Sequence, residues 1–293
     1  MPLVSMKELL ERARHGSYAV TYCESWSLES FQAAIEAAEE ECAPFIAGFN
    51  GGFLGHSGRS KPEDLRYYSC FASVLEKCAV PVAFLLNESD DFAQIEQSIK
   101  LGFNAVMVEN EHLDPRAYQD MVRRVVKIAH ARGVAVEAQV GHLPNAAGHG
   151  NGESTDPASA RKFVEETGID ALGVAVGNVH ILTQGKALID EAALASIRDA
   201  VKVPLVLHGG TGIPLELAPT LVRLGVAKVN YGTTLKQVYL DAVREKLAAY
   251  HVPMSPHPFL GMGGPLDILV AGREAFKAKA RQLIRAFGGS GKA

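Results

Sequence analysis

Eight short apolar runs recur along the chain, at 18–23, 44–49, 80–86, 105–109, 135–140, 171–176, 204–208 and 228–231. Most are continuous rather than alternating, which is the pattern of strands covered on both faces. Between them the apolar positions change to a helical period. Asp114-Pro115 sets an N-cap before a first-turn proline. Tyr118, Met121, Val122, Val125 and Ile128 then share one face, and Gly133 ends it. Asp156-Pro157 repeats the device, with Phe163 and Val164 inward and Gly168 at the stop. Asp190 caps a helix carrying Leu194, Ile197 and Val201, and Pro214 opens one with Leu217, Leu221 and Leu224, closed by Gly225. This alternation runs on without a low-complexity linker and predicts a parallel α/β sheet. Eight units favour closure into a single (β/α)8 TIM barrel over an open sheet. One domain is expected over 1–293. A Pro- and Gly-rich extension from about 251 should cross the barrel surface and end in a helix near 273–287.

Composition adds exclusions. With 293 residues, 47% of them hydrophobic and a formal charge of -4, the chain can bury one large core and builds no basic field for nucleic acid. No stretch approaches the roughly 18 apolar residues of a membrane span, and the N-terminus lacks the apolar segment of a secretory signal. The four cysteines, Cys23, Cys42, Cys70 and Cys78, form no CxxC pair. The expectation is a soluble cytoplasmic protein with reduced, mostly buried thiols.

In a barrel of this kind, chemistry gathers at the C-terminal ends of strands and in the loops beyond them. Those positions hold Glu24, Asn87, Glu88, Glu109, Glu111, Gln139, His142, Asn178, His180, His208 and Asn230. Two histidines with a carboxylate at a third strand end suit zinc or another divalent ion. After strand seven, HGGTGIP at 208–214 supplies Gly209, Gly210 and Thr211 ahead of a helix start, a ready anion site. Asn230 and Thr233 add an amide and a hydroxyl beside it. These residues alone leave open a barrel with a metal, a phosphate anchor, or both.

The opening PLVSMKELLERA, the runs HARGVAVEAQVG and TGIDALGVAVGNVH, VPLVLHGGTGIP and the closing GSGKA resemble class II fructose-bisphosphate and tagatose-bisphosphate aldolases along the full chain. The resemblance implies a metal-dependent carbon–carbon lyase acting on sugar phosphates, as a homodimer or homotetramer. It implies zinc ligands at His180 and His208, with Glu88 where the family has a third histidine. Asn87 stands where the family has its acid/base aspartate. An amide cannot carry that proton, so ordinary retro-aldol cleavage should be impaired by roughly 10²–10⁴-fold. A His2Glu set with an open position remains a legitimate catalytic arrangement.

Gly209, Thr211, Asn230 and Thr233 match the phosphate end. Ile181, Gln184 and Gly232 replace, in turn, a glycine, a lysine and an acidic or amide residue, which argues against fructose 1,6-bisphosphate itself. The loop after strand five carries His142, His149 and Glu153. Either Glu153 or a loop histidine would stand in for the missing acid, unless this is a plain polar surface loop. Three readings follow: a modified enediolate lyase on a sugar phosphate or polyol; a phosphosugar-binding paralogue without turnover; or an isomerase, epimerase or decarboxylase on the same barrel.

Overall fold

Eight parallel strands close on themselves in chain order. They are β1 (Val20–Cys23), β2 (Phe45–Asn50), β3 (Val82–Ser89), β4 (Ala105–Val108), β5 (Ala135–Val140), β6 (Ala171–Val174), β7 (Leu205–Leu207) and β8 (Val226–Tyr231). β8 pairs back on β1, with Tyr22 beside Asn230. This computed structural model describes residues 3–109, 113–144 and 154–293. The (β/α)8 TIM barrel read from the apolar rhythm is the observed architecture.

Alternation across the strands splits the core in two. Outward residues such as Phe84, Val106, Val136 and Leu172 pack under the surrounding helices. Inward residues such as Val20, Ile46, Leu85, Met107 and Val206 fill the barrel floor with Met6, Leu9 and Leu10. Those last three belong to the amphipathic helix Met6–Gly16, which plugs the N-terminal end. The floor is therefore apolar and closed, and polar chemistry is left to the mouth.

The predicted caps form. Asp114 Oδ1 accepts from the amides of Arg116 and Ala117 at 3.0 and 3.1 Å, starting the helix Pro115–His130. Asp156 Oδ2 and Asp190 Oδ1 accept from Ser159 and Ala193 at 2.8 and 2.9 Å. Gly168 ends its helix at φ 73°, a left-handed conformation that glycine adopts without a Cβ clash.

Two expectations need correction. Only Cys23 is buried; Cys42 and Cys70 are exposed and Cys78 is half-buried. The last helix begins at Ile268 rather than near 273, because Asp267 caps it by accepting from the Leu269 amide at 2.9 Å. Among the described residues, no helix is long and apolar enough to cross a membrane.

Candidate active site

The strand ends open into a cavity of about 580 Å³. Its wall includes Glu24, Asn50, Asn87, Glu88, Glu109, His142, His180, Thr211, Asn230 and Thr233. Every strand or the loop that follows it thus contributes a polar group to one space.

Glu88 is delivered by a break in strand pairing. β3 and β4 change register between Leu86 and Ser89, and Glu88 takes φ 51°. For a residue with a Cβ, that conformation costs on the order of 1–3 kcal/mol and persists where surrounding contacts hold it. Here Asn50 Nδ2 donates to Glu88 Oε2 at 2.6 Å, while Glu88 Oε1 lies 3.0 Å from His208 Nδ1. Burial would raise the Glu88 carboxyl, but the His208 hydrogen bond and charge outweigh it and hold it well below the usual range.

His208 is fixed from three sides. Its Nε2 lies 2.8 Å from Glu137 Oε1, and Glu137 Oε2 accepts from Lys228 Nζ at 2.7 Å. Its backbone carbonyl accepts from Asn178 Nδ2 at 3.0 Å. Burial disfavours a charged ring, yet the hydrogen bonds and charges of Glu137 and Glu88 prevail, and the ring pKa rises to about 9. Burial also pushes Glu137 up, and Lys228 and His208 more than offset it.

Glu88, His180 and His208 offer ligand atoms that all lie within 4.8 Å of one another. The surroundings suit an ion. Glu137 accepts from His208 Nε2, the carboxylate–histidine arrangement that orients metal-ligating imidazoles, and Nδ1 is directed toward Glu88. A divalent ion held by Glu88, His180 and His208 would take the place of the second ring proton of His208.

The anion loop is built for close approach. A Cβ on Gly209, at φ 68°, would sit 2.2 Å from the Val179 carbonyl, so only glycine fits. Thr211 Oγ1 accepts from the Thr234 amide at 3.1 Å and ties this loop to the start of the helix Thr233–Leu247. That helix has no side-chain N-cap, and Thr233 and Gly232 face the cavity.

A family model described as fructose-bisphosphate aldolase class-II matches residues 4–292. The chain belongs to that family. It is 37% identical to the fructose-bisphosphate aldolase of Geobacillus stearothermophilus, with 100% of this chain and 99% of that protein covered. It is 33% identical to the fructose-bisphosphate aldolase of Staphylococcus epidermidis over the whole of both chains. The crystal structure of the YdjI aldolase from Escherichia coli K12 superposes with a TM-score of 0.82 at 30% identity, covering 99% of each chain. The protein is thus a class II aldolase-type carbon–carbon lyase, of a family that is metal-dependent and acts on sugar phosphates.

Within this aldolase fold, Glu88, His180 and His208 meet, and Gly209, Thr211, Asn230 and Thr233 line the same cavity. Gly210 is buried, its Cα turned toward the Asn230 carbonyl and the Tyr231 ring. Asn87 is buried in the wall, and His142 lines it from an exposed position. Glu111, His149 and Glu153 lie outside the described residues. Sequence reading assigned no role to Asn50, Glu137, Lys228 or Lys236. The signal for Lys228 was present: a lysine inside an apolar run, two residues before Asn230 and therefore on the same strand face.

Proposed function

We propose that this aldolase cleaves a ketose phosphate or related polyol by modified enediolate chemistry, and that fructose 1,6-bisphosphate is not its substrate. The observation that carries the reading is the meeting of Glu88, His180 and His208 beside the Gly209–Thr211 loop in one cavity. Glu88, His180 and His208 would hold a divalent ion, and two imidazoles with one carboxylate suit zinc. A bound ion supplies Lewis-acid polarisation of the substrate carbonyl.

The chain's own residues do the rest. Amides at Gly209 and Gly210 and the hydroxyls of Thr211 and Thr233 hold the phosphate. The Asn230 amide contacts substrate hydroxyls. Asn87 can orient a hydroxyl but cannot carry its proton, so the base is another group: His142 in the wall, or Glu153, which lies outside the described residues. Ile181 supports a changed phosphate end. It is a β-branched residue at φ 53° whose exposed side chain lines the cavity. The family resemblance also carries a homodimer or homotetramer in the cytoplasm.

The test is metal content of the purified protein against Glu88→Ala and His208→Ala, followed by cleavage assays on ketose mono- and bisphosphates. About one divalent ion per chain, lost in both variants, with turnover of a monophosphate, is the expected result. A protein that neither holds nor takes up an ion, yet binds sugar phosphates without cleaving them, makes the non-catalytic reading correct instead.

A further inference from the structure

The wall formed by β1 and β2 differs in kind from the anion loop of β7 and β8. Glu24 continues β1, its amide donating to the Tyr231 carbonyl at 2.9 Å, and its side chain is almost fully buried at the cavity edge. A Cβ on Gly232 would stand 3.3 Å from Glu24 Oε2, so the carboxylate abuts the start of the helix Thr233–Leu247. Lys236, one turn into that helix, pairs with Glu24 through Oε1. Its ammonium also lies 4.4 Å from the centre of the Phe53 ring. Asn50 Nδ2 bridges the two carboxylates, donating to Glu88 at 2.6 Å and to Glu24 at 3.4 Å, and Asn50 Oδ1 is engaged by the Phe53 amide at 3.0 Å.

Asn50 Nδ2 is thus spent on carboxylates, while the partly exposed Lys236 ammonium, paired with Glu24, keeps protons free toward the cavity. What faces a ligand is the Glu24–Lys236 ion pair, which carries no net charge, beside the half-exposed face of Phe53. A group that docks against this pair does best when it can both donate and accept hydrogen bonds. A hydroxyl donates to Glu24 and accepts from Lys236 at once; a phosphate dianion has no proton to offer Glu24 and finds no net positive charge in the pair. An aromatic face beside paired polar groups also suits the C–H edge of a sugar chain.

We propose that Glu24, Asn50 and Lys236, with Phe53, form a subsite for the hydroxyl-bearing, unphosphorylated end of an open-chain sugar monophosphate. The subsite rests on the reading above that Gly209, Thr211 and Thr233 anchor one phosphate. Glu24 accepts from substrate hydroxyls, Lys236 pairs with Glu24 and aims it, and Asn50 sets its spacing from Glu88.

Carbonyl-free probes separate this subsite from catalysis. Calorimetry on the metal-loaded protein would compare sorbitol 6-phosphate, its 1,6-bisphosphate and n-hexyl phosphate. Sorbitol 6-phosphate should bind about tenfold tighter than either of the others. Glu24→Gln should narrow the gap to the bisphosphate to about threefold by removing the charge that balances Lys236. The two wild-type ratios decide the matter even if that variant does not fold. Equal or tighter binding of the bisphosphate, or of hexyl phosphate, refutes the subsite and leaves the anchor standing. Binding of none of the three refutes the anchor, and the subsite with it.

Discussion

An ion-pair network inside the barrel mouth and another at its periphery answer to different demands. Inside the mouth, Lys228, Glu137 and His208 are at most 1% exposed, each charge facing its opposite within 2.7 to 2.8 Å. At the periphery, Glu41 is 6% exposed but its partners Arg281 and Arg285 are 33% and 58% exposed. The outer network ties the C-terminal helix to the end of the helix Leu28–Glu40 and leaves its guanidinium groups largely in water. The inner one withdraws three ionisable groups from water, where desolvation tends to cancel the attraction it permits. A fold seeking stability alone would do as well with packed apolar side chains at those positions. The inner network is explained by what it points at: it orients the ring of His208 toward Glu88 and His180.

Removing one partner should separate the two most sharply. Lys228→Met leaves the buried Glu137 carboxylate short of a counter-charge and should cost about 3–5 kcal/mol in urea unfolding at pH 7. Pairing it with Glu137→Gln removes both charges together, and most of that loss should return. A single variant as stable as the wild type would mean that the inner pair is no more demanding than the outer one.

The double variant then tests purpose. After Glu137→Gln the side-chain amide can still accept from the His208 ring, but without a carboxylate's basicity. Divalent-ion affinity should therefore fall roughly 10- to 100-fold even where stability has recovered. Zinc titration against a competing chelator reads this without reference to turnover. Unchanged affinity in the stable double variant would break the link between the buried charges and the ligand ring.

The barrel was legible because its signals are local: continuous apolar runs, Asp-Pro starts, glycine stops. The meeting of Glu88, His180 and His208 was legible because barrel topology sends every strand end to one mouth. The inner network was not. Glu137 and Lys228 lie 91 residues apart, and only barrel closure and register put Lys228 Nζ against Glu137 Oε2. Within its own strand, Lys228 reads only as an interruption of an apolar run. Nor does the sequence announce the left-handed turn at Glu88, since φ there is imposed by the register change and by Asn50, 38 residues away. The cysteines fail for the opposite reason. Burial was expected from residue type, whereas Cys42, Cys70 and Cys78 fall in the turns and loops that follow helices, where residue type does not decide exposure.

The outer network should show its character in acid. Hydrogen bonds from Arg285, reinforced by Arg281 and Ser290 against the contrary push of burial, hold the Glu41 carboxyl at about 2, below its ordinary 4.5. A carboxyl lowered on folding stabilises the native state fully above its unfolded value and loses that contribution as pH falls through the folded one. Glu41→Gln should therefore lower stability by about 1 kcal/mol at pH 7, the scale of a charge-assisted but largely solvated contact. The gap between variant and wild type should hold down to about pH 5 and close progressively between 4.5 and about 2. Urea midpoints measured across that range read it directly. A gap that stays constant with pH would mean that Glu41 contributes through shape and neutral hydrogen bonds, and the outer network would then not be electrostatic at all.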